Sequence, residues 1–336
     1  MKPSEIRKAV LLCWKARRPC FIWGAPGIGK SSIVKQLAAE LSLTEGETVQ
    51  FKDTRAIHYD PVDLRGIPGI VANFTKWFPP DFLPRAGKGI WFLDELNAAP
   101  LMVQAAFYQL ILDRRIGDYE LPVGWLIIAA GNRETDRAVT QRMPAPLCNR
   151  FAFHLNLDVD FTEWKDWAME NDIVPELIAF FAWRQALLFN FDPQRNDKAF
   201  TTPRTVEFLS DLIKSGLDPL TDTQYMAACV GEGIAVEING FYRIKDALPD
   251  IDATLANPAK AKIPMPDENV AATYAFCGAI ARRATKKNMA AVITLANRLP
   301  GDFSVLLVKD IIKLNKSLAG TEAYNEWAQA HQNVML

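Results

Sequence analysis

The stretch Phe21-Ile22-Trp23-Gly24-Ala25-Pro26-Gly27-Ile28-Gly29-Lys30-Ser31-Ser32 constrains this chain more than any other. Cys20 to Trp23 is a short apolar run of the kind that forms a buried parallel strand. From Ser31 the spacing turns helical, with Ile33, Val34, Leu37, Ala38 and Leu41 on one side. Between strand and helix sits G-x-x-x-x-G-K-S, in the context the phosphate-loop motif requires. Glycines let successive backbone N–H groups turn inward around a polyphosphate, at a helix N-terminus whose dipole favours anions. The candidate nucleotide-binding set is therefore Gly24, Ala25, Pro26, Gly27, Ile28, Gly29, Lys30, Ser31 and Ser32. Lys30 is placed to reach the outer phosphates, and the Ser31 hydroxyl to ligand a magnesium ion. A nucleoside-triphosphate site is expected.

The second fixed point is Gly89-Ile90-Trp91-Phe92-Leu93-Asp94-Glu95. An apolar run that ends in two carboxylates predicts a buried strand delivering acids to the carboxyl edge of a parallel sheet, where such folds bind ligands. Asp94 is expected to hold magnesium through its water shell, and Glu95 to polarise the water that attacks the γ-phosphate. Leu126 to Ala130 is a further apolar strand, ending in Gly131-Asn132-Arg133. Asn132 could there hold the attacking water or touch the γ-phosphate, although Gly-Asn also simply ends strands.

Around these points the chain reads as an α/β unit followed by helices. Residues 4–18 predict an amphipathic helix with Ser4 as N-cap, and Thr48 to Phe51 a short second strand. Residues 53–84 lack a sustained period, but Leu64–Val71 and Asn73–Phe78 suggest a projecting hairpin. Pro100 opens a helix to about Arg114, Ile116–Pro122 resembles a short hairpin, and Ala152–Leu157 reads as a last strand. Helical periods dominate from Asp158, and Leu248–Pro266 reads as a connector. Helical segments Glu268–Arg298 and Phe303–Ala330 follow. Three parts are expected: a core at 1–157 with a hairpin insert at about 60–84, a helical domain at 158–247, and a helical extension at 248–336. Thr202 and Pro203 mark a helix start, as N-cap and first residue. Arg204 then lies in a first turn where the helix dipole disfavours a cation, which invites a phosphate partner.

The ordered set Gly24 to Ser31, Asp94-Glu95, Asn132, Asn149-Arg150-Phe151 and Thr202-Pro203-Arg204 resembles the AAA+ ATPases. Within them, Asp94-Glu95-Leu96-Asn97-Ala98-Ala99-Pro100 and Val103-Gln104-Ala105-Ala106-Phe107 are similar to the MoxR branch, the MoxR/CbbQ/NorQ-like proteins. The resemblance covers roughly residues 1–245. It implies a five-stranded parallel P-loop NTPase sheet sandwiched by helices, an all-α lid, and a hexameric ring binding ATP and Mg2+ between subunits. It further implies Asn132 as sensor 1, Arg150 as the arginine finger offered to the neighbouring subunit, and Arg204 as sensor 2. Arg133, Arg137 and Arg142 are rivals for the finger. The family also implies Mg-dependent ATP hydrolysis that remodels or activates a client protein complex, commonly beside a von Willebrand factor A domain protein. The insert and the hairpin at Arg115 to Leu121 would face partners or the ring pore.

Composition narrows the alternatives. A net charge of −1 over 336 residues argues against a protein whose main affinity is for nucleic-acid backbone. A nucleic-acid motor or loader is the competing reading; its support is a basic stripe of Arg282, Arg283, Lys286 and Lys287 expected along one tail helix. A nucleotide-dependent scaffold is a third, against which the intact acid pair argues. No N/T-K-x-D guanine-reading motif occurs. Five scattered cysteines read as reduced buried thiols, and His58, His154 and His331 lack metal-ligand spacing. Trp164 and Trp167 read as core, whereas Trp77-Phe78-Pro79-Pro80 is balanced between core and interface. There is neither a signal-peptide pattern nor an apolar run of about 18 residues, so a soluble cytoplasmic protein is expected.

Overall fold

A computed structural model describes residues 1–136, 143–195 and 197–331. Two compact units divide it, one from Met1 to Asp160 with a short segment from Phe191, the other Phe161–Asn190 together with the chain from Asp197 on.

The first unit opens with α1 (Pro3–Ala16), β1 (Cys20–Trp23), α2 (Lys30–Glu45) and β2 (Val49–Arg55). Then come α3 (Pro61–Arg65), β3 (Ile67–Val71), β4 (Phe74–Phe78), β5 (Lys88–Asp94) and α4 (Leu101–Asp113). It closes with β6 (Arg115–Ile116), β7 (Tyr119–Glu120), β8 (Trp125–Gly131), α5 (Ala145–Cys148) and β9 (Phe153–Asn156). Five strands form a parallel sheet in the order β2-β5-β8-β1-β9. Its central strands are apolar because both faces are covered. Phe21, Trp91, Leu93, Ile127 and Ala129 point to one face and pack with Val103, Phe107 and Leu110 of α4. Their alternates, Ile22, Ile90, Phe92 and Ile128, are buried on the other face, where α2 packs along β2 and β5 and contributes Val34 and Leu37.

Local chemistry shifts several boundaries. α1 starts one residue before the expected cap. Pro3, with φ preset for a first helical position, takes N1, and the Glu5 carboxylate accepts from the Lys2 N–H at 2.9 Å. β2 runs on to Arg55, because its backbone stays paired with β5 up to Arg55 opposite Asp94, although its side chains turn polar. The hairpin expected in the insert forms as β3 and β4, a sheet of its own. Ala72 (φ 51°) and Asn73 (φ 67°) make a two-residue turn with both positions left-handed, matching the twist of the strands.

The second unit is helical: α6 (Phe161–Glu170), α7 (Pro175–Trp183), α8 (Pro203–Lys214), α9 (Thr223–Val230), α10 (Glu232–Asp246) and α11 (Ile251–Ala256). It ends in α12 (Pro266–Arg283), α13 (Met289–Ala296), α14 (Gly301–Leu314) and α15 (Glu322–Ala330). Trp164 is core, packed edge-on to Phe181. At α8 Thr202 and Thr205 cap each other's backbone N–H, with Pro203 at the first position. The segment read as a connector contains α11, capped by Asp250. The long tail helix breaks after Arg283, where the Asn288 side chain donates to the Arg283 carbonyl (2.8 Å) and accepts from the Thr285 N–H (2.7 Å). One amide thus closes α12 and opens the turn into α13. Lys286 and Lys287 consequently lie outside the helix, so the expected basic stripe is interrupted, and Arg283 pairs with Asp252. Among the described residues no helix is long and apolar enough to cross a membrane.

Candidate nucleotide site

β1, β5 and β8 lie side by side and end at the same edge of the sheet, so the phosphate loop, the acid pair and Asn132 converge although some 110 positions separate the first from the last. Gly29 carries φ 93° at the entry to α2, a conformation that costs an L side chain about 1–2 kcal/mol and glycine nothing. No side chain caps this terminus, and the first turn of a helix is where backbone N–H groups and the dipole favour an anion. The Lys30 ammonium lies folded over the loop, donating to the carbonyls of Gly24 (2.7 Å) and Ala25 (3.0 Å) and to Asn132 Oδ1 (3.0 Å). Asn132 is therefore in contact with the phosphate loop itself.

Asp94 closes β5, and its Oδ1 accepts the Glu95 N–H at 2.9 Å. Glu95 is left-handed (φ 55°, ψ 31°), an unfavourable state for a non-glycine residue, which turns the chain sharply after the strand. Asp53, on the neighbouring strand β2, is a third carboxylate here. Burial pushes its pKa up, the charges of Asp94 and Glu95 add to this, and Arg55 opposes it. The site gathers negative charge that a cation would relieve.

The donor set suits magnesium. The two expected ligands, the Asp94 carboxylate and the Ser31 hydroxyl, are hard oxygen donors of the kind taken by an ion that keeps waters and is held largely by substrate phosphates.

The arginines differ in what holds them. The Arg150 guanidinium stacks on the Tyr108 ring at 3.4 Å and donates to the Pro146 carbonyl at 2.6 Å. Arg133 donates to the Leu157 carbonyl (2.5 Å) and to the Asp158 carboxylate (2.6 Å) of its own chain. Arg137 and Arg142 lie outside the described residues. Arg204 occupies the second position of α8, in the helical unit.

Three participants escape the sequence reading: Asp53, Asn97 and Tyr108. Asn97 is 1% exposed, and its Nδ2 donates to the Asn132 carbonyl at 2.8 Å. Asn97 lies in the Asp94-to-Pro100 stretch that carries the family resemblance, but nothing there gave it a role of its own; Asp53 and Tyr108 carried no pattern.

A glycine-wrapped loop between β1 and α2, an acid strand beside it, and the order β2-β5-β8-β1-β9 define a P-loop AAA+ fold followed by a helical region. Residues 19–151 match the AAA domain of the dynein-related subfamily. No curated protein matches the sequence. Among solved structures, a RuvB mutant from Thermotoga maritima is similar at 16% identity, over 79% of this chain and 80% of that one, with a TM-score of 0.41. NtrX from Brucella abortus in complex with ADP is similar at 14% identity, over 99% and 68% respectively, with a TM-score of 0.42.

Proposed function

We propose that this chain is a MoxR-like AAA+ ATPase that hydrolyses ATP with Mg2+ between the subunits of a hexameric ring, to remodel or activate a client protein complex. The observation that carries the hydrolytic part is the Lys30–Asn132 hydrogen bond, which sets a polar strand tip against the phosphate loop beside the Asp94-Glu95 strand. When bound, magnesium would neutralise charge on the β- and γ-phosphates and be held by Ser31 and Asp94. Gly24 to Ser32 wrap the phosphates with backbone N–H groups, and Lys30 exchanges its loop carbonyls for phosphate oxygens. Glu95 orients the attacking water and draws its proton, and Asn132 fixes that water or the terminal phosphate.

Arg150 acts from one subunit on the nucleotide of the next, adding about 10³–10⁵-fold. Arg150 stacks on Tyr108 and bonds the Pro146 carbonyl, Arg133 pairs with Asp158, and it is the Asn149-Arg150-Phe151 motif of the resemblance that favours Arg150 as the finger. Arg204 serves as the second sensor, residues 158–247 as a lid and 248–336 as an extension. The resemblance to MoxR proteins supports a von Willebrand factor A domain partner, and the sequence reading a cytoplasmic setting.

The test is ATP turnover against protein concentration for wild type, Glu95→Gln and Arg150→Ala. Turnover per subunit should rise with concentration, each variant should be inactive alone, and mixing them should restore activity. Concentration-independent turnover with a normal Arg150→Ala removes the ring-and-finger reading.

A further inference from the structure

Asn97 sits in the short turn Leu96–Ala98 that follows the acid pair, between Leu96 and Ala98 and fully enclosed. A buried amide costs free energy unless both ends are hydrogen-bonded. Only one end is: Nδ2 donates to the Asn132 carbonyl, while Oδ1 is buried without a partner. The neighbouring strand also yields space to it, because a Cβ at Gly131 would come within 2.0 Å of Asn97 Oδ1. Leucine would fill similar volume without an unpaired acceptor. What the amide alone supplies is a fixed position for the Asn132 backbone.

That position matters because the Asn132 side chain reaches Lys30 from the same residue. The turn bearing Asn97 is itself closed by the Ala98 N–H on the Glu95 carbonyl, at 2.9 Å. Glu95, Asn97 and Asn132 thus form one connected unit across two adjacent strands, with Asn97 as its link. We propose that Asn97 is a positioning residue that sets Asn132 over the phosphate loop and keeps it in register with Glu95. The proposal rests on the reading of this site as an ATPase.

Five versions of the whole chain test it: wild type, Asn97→Ala, Asn97→Asp, Asn132→Ala and the Asn97→Ala/Asn132→Ala double variant. Steady-state ATP turnover and ATP affinity are measured on each, with hydrogen exchange of the segment 129–133 in nucleotide-free protein. Asn97→Ala should lower turnover at saturating ATP roughly tenfold and leave affinity within about threefold, because the phosphate loop is untouched. The double variant should be no slower than Asn132→Ala, since the effect passes through that residue. Exchange at 129–133 should quicken in Asn97→Ala. Asn97→Asp keeps shape and volume but turns an acceptor toward the Asn132 carbonyl; it should be as slow as Asn97→Ala, whereas a packing role would leave it near wild type. Wild-type turnover in Asn97→Ala, or losses that multiply in the double variant, would overturn the proposal. If wild type hydrolyses no ATP, the ATPase reading fails by itself; unchanged exchange in Asn97→Ala then sinks the positioning role, and quickened exchange sustains it.

Discussion

At Gly131 one hydrogen atom separates an assembled edge from a disrupted one. The residue lies in the fully buried strand β8, with Asn97 Oδ1 where a methyl group would project and the Phe21 ring 3.1 Å away. Neither neighbour can retreat cheaply: Phe21 belongs to the core, and Asn97 is held by its bond to Asn132. Gly131→Ala should therefore cost about 1–3 kcal/mol by overpacking and reduce ATP turnover as Asn132 is displaced. Urea unfolding and steady-state turnover on the same preparation check both; wild-type values in each would mean that the strand edge absorbs the methyl.

Among the elements, α6 and α14 are joined by a half-hidden ion pair. Lys165 Nζ donates to both oxygens of Asp310, at 2.6 and 2.8 Å, with side chains 11% and 17% exposed. Burial pushes the Asp310 carboxyl above its usual range, and Lys165 pulls it back. Lys165→Met should cost about 3 kcal/mol by leaving a charge without its partner, and Lys165→Met with Asp310→Leu should recover most of that. In the single variant the folded pKa of Asp310 stands further above its unfolded value. The folded state then binds the proton more tightly, so stability falls as pH rises through that range. Denaturant melts at pH 5 and pH 8 should show the larger loss at pH 8; a loss independent of pH would assign the cost to packing. The elements themselves were legible where periodicity was strong, as in β1, β5, β8, α2 and α8. Boundaries set by one side chain's hydrogen bonds were not: the break at Asn288 lies in a stretch whose apolar spacing runs on into α13. Lys30, Asp94, Glu95 and Asn132 were readable because their chemistry demands a motif. Asn97 was not, since its partner is 35 positions away and its task is placement.

At the scale of the molecule, the hairpin β3–β4 stands apart from the sheet. Among the described residues its two strands pair only with each other, and Ile67, Ile70 and Phe74 are between 75% and 85% exposed. Apolar residues so exposed add little to folding, and an isolated two-stranded hairpin is marginal in water. Replacing residues 67–78 with a short Gly-Ser linker should shift the melting temperature by no more than a few degrees and leave basal ATP turnover intact. A collapse in either would make the hairpin part of the core.

The strand order carries a consequence for synthesis. β1 leads into the phosphate loop, yet both its partners, β8 and β9, come from residues 125–156. A ribosome that has released the whole glycine motif has released neither neighbour of the strand that supports it. The nascent chain thus holds its anion-binding sequence for roughly a hundred residues before a scaffold exists to shape it. The strand-to-strand pairing that shapes the anion loop is therefore a late, long-range step, and β1 has no paired neighbour until residues 125–156 are made.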